Sequence, residues 1–250
     1  MPLQPPPPLT APDALQAQLD SAGWAVIDAR SLADWCRLSL DATAAWLPIW
    51  PELPPDPHLR DGGRYRRRRH GCFTVSAGGA VSPMPHRAHW QPVEYNALHG
   101  GIQRWFDPLP PELVASPAWA ALLAGLARVA DGLRGAQTWY VEAHPFRIDT
   151  TDGIGRPTPE GAHRDGVDLV AVLIIGRHNV KGGETRVFDA RGPQGVRFTL
   201  TEPFSALLLD DERVIHETTP IQPLDASRPA WRDTLVLTFR RGAFQGPTGA

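Results

Sequence analysis

The chain has 250 residues, 42% hydrophobic and 21% charged, enough apolar material for a sizeable core and too much for wholesale disorder. Lysine and arginine total 25 against 27 acidic residues, and a net charge of −2 gives no electrostatic pull toward nucleic acid or an anionic membrane. Prolines number 27, about double the ~5% share of an average protein, which argues against an all-helical bundle because proline breaks helix interiors.

Residues 1–12 carry six of the prolines and read as a flexible or extended arm. Leu15 and Leu19 ahead of Gly23 predict a short helix, and Trp24 to Asp28 a strand. Ser31, with Asp34 three residues on, reads as the N-cap of a helix reaching Leu47 through Leu32, Trp35, Leu38 and Trp46. A proline-rich loop fills 48–63, a strand-like segment runs from Tyr65 to Val75, and irregular chain continues to about Pro111. Ser116-Pro117 opens the clearest helix, with proline at its tolerated first position.

Beyond Gly135 the pattern becomes β. Strands are expected at Thr138–Ile148, Val167–Ile175, Glu184–Phe188, Arg197–Thr201, Ser205–Leu209, Val214–Glu217 and Thr234–Phe239, separated by Gly/Asp/Pro turns. That spacing predicts a sandwich or barrel: a mainly β fold with flanking helices (α+β). The organisation expected is one domain over 1–250, with 13–135 a helical, loop-rich covering half and 136–242 the β core. Cys36 and Cys72 lack zinc-type spacing. No basic-then-apolar leader pattern opens the chain, and apolar runs such as Leu169 to Ile175 are too short to span a bilayer. The expectation is a soluble, cytoplasmic protein that binds a small molecule rather than nucleic acid or membrane.

The chemistry concentrates in the second half. His163 and Asp165 are two apart, so on a strand both side chains leave one face. His216 ends a short apolar strand 51 residues after Asp165 and supplies a third donor. Two histidines and one carboxylate make the facial triad of non-haem Fe(II) oxygenases, which leaves positions open for a bidentate 2-oxo acid and O2. The far carboxylate of such a co-substrate needs a cation. Arg232 and Thr234, two apart on the last strand, are suited to hold it. Each feature alone has a bland reading: HxD recurs by chance in turns, and strand arginines are usually solvated. His58, His70, His86, His89, His99 and His178 are read as ordinary core or surface residues. The ordered conjunction of HxD, a later strand histidine and Arg-x-Thr is what points to the oxygenase.

The runs HRDGVDLVAVLIIGRHNVKGGETRVFD, LTEPFSALLLDDERVIHETTPI and WRDTLVLTF also resemble the bacterial 2-oxoglutarate/Fe(II)-dependent dioxygenases that hydroxylate free amino acids, the L-isoleucine 4-hydroxylase-like group. The match is close over about 160–240, with weaker echoes toward residue 65. The resemblance implies a double-stranded β-helix (jelly-roll, cupin-like) core. It implies iron on His163, Asp165 and His216, the 2-oxoglutarate carboxylate on Arg232 and Thr234, and a small aliphatic L-amino acid as substrate. Arg66, from the alternating run Tyr65 to His70, Arg147 and Glu160 are candidate substrate contacts. Two other classes fit the residues: a non-catalytic cupin-like metal or ligand binder, which has no use for Arg232, and a zinc hydrolase, for which Glu160 and Glu184 are the candidate bases.

Overall fold

The computed structural model describes residues 5–96 and 98–247. The described part of the proline-rich arm is extended and tied down: Leu9 bridges Val26, and the Thr199 amide donates to the Pro5 carbonyl. Helix α1 (Leu15–Ala22) stops at Gly23, whose φ of 77° is the left-handed value that glycine accepts without strain. Strand β1 (Trp24–Ile27) follows. Helix α2 (Ala29–Cys36) starts earlier than expected because Asp28, not Ser31, is its cap: the Asp28 carboxylate accepts the Ser31 amide at 2.7 Å. It also ends early, at Arg37 with φ of 56°. The helix expected to reach Leu47 is thus broken into α2, a short α3 (Leu40–Thr43) and a tight 3-10 segment over Ala44–Ile49 that carries Pro48.

The expected 65–75 strand divides at Arg69 and His70 into β2 (Arg66–Arg68) and β3 (Gly71–Val75), and β4 (Val81–Pro83) returns alongside β3. After α4 (Pro111–Val114) comes α5 (Pro117–Arg134), the long helix anticipated from Ser116-Pro117. The β-rich half supplies β5 (Trp139–Asp149), β6 (Leu169–His178), β7 (Val180–Gly182), β8 (Thr185–Asp189), β9 (Gly195–Phe198), β10 (Ala206–Asp210), β11 (Val214–Thr218), β12 (Ile221–Pro223) and β13 (Trp231–Arg240). Strands β7 and β12, three residues each, are too short to leave a pattern in the sequence.

The strands form an eight-stranded antiparallel sheet in the order β1-β10-β6-β13-β5-β3-β4, with β2 also on β5, a three-stranded sheet β11-β8-β9, and the pair β12-β7. All four strands of the first half join the large sheet, so residue 135 marks where strands lengthen rather than where the sheet begins. Alternation along each long strand divides two apolar layers. Leu169, Ala171 and Leu173 of β6 and Leu235, Leu237 and Phe239 of β13 pack with Leu122, Leu123 and Leu126 of α5. Val170 and Ile174 point the other way, toward Val187, Phe198 and Val214 of the small sheet. The result is a jelly roll, two sheets face to face, with helices covering one outer face.

Helix α5 comes unusually close to α2. A Cβ on Gly125 would sit 2.4 Å from the Cys36 sulfur and 2.6 Å from its Cα. The Gly125 carbonyl accepts the Trp35 indole N–H at 2.9 Å across the same contact. Both cysteines are buried free thiols. Among the described residues, no helix is long and apolar enough to cross a membrane.

Candidate active site

His163 and Asp165 do not lie on a regular strand, as their spacing suggests. His163 makes a single antiparallel bridge to His216 of β11, each amide donating to the other's carbonyl at 3.0 and 2.9 Å. Gly161 and Gly166, with φ of 82° and 77°, turn the chain on either side of it. The bridge does what a strand pair would do. His163 Nε2 lies 3.8 Å from Asp165 Oδ1, and His216 Nε2 lies 3.9 Å from Asp165 Oδ2. One donor atom from each residue falls within 4.8 Å of the others, too far for hydrogen bonds and close enough to share one ion.

The surroundings prepare these donors for a cation. His163 Nδ1 donates to the Gly161 carbonyl at 2.9 Å, which leaves its Nε2 lone pair free. Glu160 sits 3.6 Å from that Nε2, and its Oε2 is buried without a hydrogen-bond partner among the described residues. Burial works against a charged His163, but Asp165 and Glu160 outweigh it and raise its pKa. Burial pushes the His216 imidazole well below its ordinary range. Behind the loop, Asp211 accepts the amides of Asp165, Gly166 and Val167 at 3.0, 2.7 and 3.1 Å. Burial and the facing Asp165 charge push Asp211 up to about 7. Two imidazoles, one of them kept neutral by burial, among crowded carboxylates form a donor set that fits a divalent metal.

The opposite wall is cationic. Arg232, Thr234, Val236 and Thr238 share the inward face of β13 and line one cavity with His163, Asp165 and His216. Arg232 is 3% exposed, and its Nε has no hydrogen-bond partner among the described residues. Its neighbour across the sheet is Arg177 of β6, whose Nη2 donates to the Gly182 carbonyl at 2.7 Å and whose Nη1 is also buried without a partner. Burial and the Arg177 charge lower Arg232 to about 9. One buried guanidinium and a half-buried one beside it, both short of hydrogen-bond partners, fit an anionic ligand such as the distal carboxylate of 2-oxoglutarate.

Of the expected substrate contacts, Arg66 and Glu160 face this cavity and Arg147 does not. Strand β5 turns Glu142, His144, Phe146 and Ile148 inward, so Arg147 falls on the other face. There it binds Asp233 in a two-pronged pair at 2.8 and 2.7 Å and lies over Trp231. Arg66 is held by Asp56 at 2.7 Å. His89, Glu142 and His144, none of them an expected contact, also line this cavity. His70, His89, Glu142 and His144 form a second buried group with donor atoms within 4.8 Å of one another. His89 and Arg104 meet through a lone bridge in irregular chain, where no periodicity announces them. Alternation along β5 sets Glu142 and His144 on the face opposite Arg147, and that face turns inward. Burial holds His89 down at about 4 and His144 well below the usual histidine range. It disfavours charge on Glu142 too, but the imidazoles of His89 and His70 outweigh it and keep that carboxylate ionised.

Residues 47–238 match the family model described as 2OG-Fe dioxygenase. The chain belongs to this family. Enzymes of this family use Fe(II), 2-oxoglutarate and O2, and residues 47–238 carry the corresponding dioxygenase domain. A bsmA homologue from Methylobium petroleophilum of known structure is 55% identical over 96% of this chain and 97% of its own, with a TM-score of 0.91. A 3(1)-hydroxy-L-isoleucine 4-dioxygenase from Pantoea ananatis is 25% identical over 158 residues, 60% of this chain and 63% of that enzyme. The structure of IDO from Bacillus thuringiensis has the same fold, at 15% identity and a TM-score of 0.74 over 94% of this chain and all of that one. The chain spans 13% and 63% of the lengths of the curated relatives it matches.

Proposed function

We propose that this 2OG-Fe dioxygenase hydroxylates a small free L-amino acid, aliphatic in its side chain, with release of succinate and CO2. The observation that carries the reading is the convergence of His163, Asp165 and His216 in one cavity with Arg232 and Thr234. In this reading His163 Nε2, the Asp165 carboxylate and His216 Nε2 hold the iron. Iron, 2-oxoglutarate and O2 together supply the oxidant, one oxygen atom leaving in succinate and the other entering a substrate C–H bond. Arg232 neutralises the distal carboxylate of 2-oxoglutarate, and the Thr234 hydroxyl donates to it. The inward methyl groups of Val172 and Val236 keep water from the site.

Asp211 fixes the metal-binding loop through three amides, and Gln91 Nε2 donates to Asp165 Oδ1 at 3.1 Å, so both orient that carboxylate. The amino-acid reading draws support from the Pantoea relative and from a cavity wall that carries both signs of charge, Arg66 and Arg104 beside Glu142 and Glu160. The test is incubation with Fe(II), ascorbate and 2-oxoglutarate against the standard amino acids, read by mass spectrometry. One or more aliphatic amino acids gaining a single oxygen atom supports the reading. Succinate formation that no amino acid stimulates refutes it.

A further inference from the structure

The second buried group has the composition of a metal site, but its hydrogen bonds assign it another task. Arg68 is a fully enclosed guanidinium lying between the rings of Phe106 and Phe146, 3.9 and 4.4 Å from their centroids. Its Nη2 sits 2.7 Å from His144 Nδ1. A guanidinium only donates, so that ring nitrogen accepts and the proton of neutral His144 is on Nε2. His144 therefore has no free lone pair for a metal. His70 Nε2 and His89 Nδ1 both approach the same oxygen of Glu142, at 3.0 and 3.4 Å. That oxygen accepts both, and the frame is one of imidazoles positioning a carboxylate.

The other oxygen of Glu142 takes no hydrogen bond among the described residues, although the residue is 7% exposed and lines the cavity shared with His163, Asp165 and His216. Directly across the sheet from Glu142 is Thr238 of β13, on the same inward face, and cross-strand partners stand about 5 Å apart. A fixed carboxylate oxygen with a hydroxyl beside it, on the wall of a cavity between the sheets, is an acceptor pair for a cationic donor group. The cationic half of the same wall is placed for an anion. Arg104 Nη2 donates to Gln91 Oε1 at 2.7 Å, with no carboxylate in ion-pair contact among the described residues, and Gln91 reaches on to Asp165.

We propose that Glu142 and Thr238 form the subsite for a protonated primary amine of the substrate, with Arg104 on the side of its carboxylate. The proposal rests on the amino-acid reading above and narrows it: the enzyme selects its substrate by the free ammonium group, so acids of equal shape without the amine are poor substrates.

The test compares L-isoleucine, L-leucine and L-valine with the carboxylic acids lacking only the amino group and with the amines lacking only the carboxylate. Succinate formation and oxygen gain are measured for the wild-type enzyme and for Glu142→Gln. The wild type is expected to prefer each amino acid over its des-amino acid at least tenfold in kcat/KM, and Glu142→Gln to bring that ratio to within threefold of one. A structural defect lowers both substrates together and leaves the ratio intact. Thr238→Val, a smaller perturbation, is expected to reduce the ratio in the same direction should Glu142→Gln fail to fold. Des-amino acids used as well as amino acids by the wild type, or a ratio preserved in the folded variants, overturns the ammonium subsite while the hydroxylase reading stands. Amines accepted and amino acids refused refutes the amino-acid reading and leaves the subsite standing. No product from any of the three sets refutes both. One equivalent of zinc retained by the triple variant His163→Ala/Asp165→Ala/His216→Ala, and stripped by adding Glu142→Gln, would make the group a metal site and overturn the proposal.

Discussion

Arg232→Met separates ligand binding from folding because its two effects have opposite signs. In the free protein this guanidinium is buried beside Arg177, and its pKa falls from the ordinary arginine range to about 9. A depressed pKa on a cation means the folded state disfavours the charged form. The cost is fully present at neutral pH and is relieved only as pH rises through the folded pKa. It amounts to something on the order of 5 kcal/mol at ~1.4 kcal/mol per unit. Methionine keeps most of the side-chain volume and removes the charge, so the ligand-free variant is expected to melt no lower than the parent, and higher if packing is kept. Binding moves the other way. A carboxylate that loses its buried, hydrogen-bonded cation costs about 2–5 kcal/mol, which is at least a ~30-fold rise in the Kd of 2-oxoglutarate. Thermal melts and calorimetric titration with 2-oxoglutarate, using Mn(II) as a redox-inert stand-in without O2, measure both. A variant that melts lower yet binds 2-oxoglutarate within threefold of the parent refutes the assignment of Arg232 as the carboxylate clamp.

Three further substitutions probe the frame around the site. Asp165→Ala removes the only carboxylate of the proposed iron triad, and succinate formation is expected to fall to the rate of free Fe(II) in buffer. Asp211→Asn leaves three amides facing an uncharged partner and is expected to weaken iron binding about 10- to 100-fold, read by metal titration of the folded variant. Gly125→Val drives a side chain into Cys36, so the thermal midpoint should drop by the equivalent of about 1–3 kcal/mol with the Kd for 2-oxoglutarate unchanged.

The sequence was most legible where side-chain alternation and chemistry coincide. Along β13 the period of two puts Arg232 and Thr234 on the cavity face, as the structure has them; along β5 it only separates Glu142, His144 and Phe146 from Arg147, and the structure turns the first set inward. Arg147 was misjudged as a contact by the same rule applied without regard to which face looks inward. The HxD motif was found for a reason that does not hold locally: its residues converge through one bridge and two glycine turns, not through a strand. His89, Gln91 and Arg104 were invisible because they sit in chain with no regular period, where only tertiary folding brings them to Glu142 and Asp165. Arg177 was hidden differently. It looks like a solvated strand end until the register with β13 sets it beside Arg232.

The most direct measurement is the fate of isotopically labelled dioxygen in a reaction with 2-oxoglutarate, Fe(II) and the amino acid that best stimulates turnover. One labelled oxygen is expected in succinate and one in the hydroxylated amino acid, both lost in Asp165→Ala. Succinate carrying no label, or labelled product formed equally by the Asp165→Ala variant, would contradict that expectation.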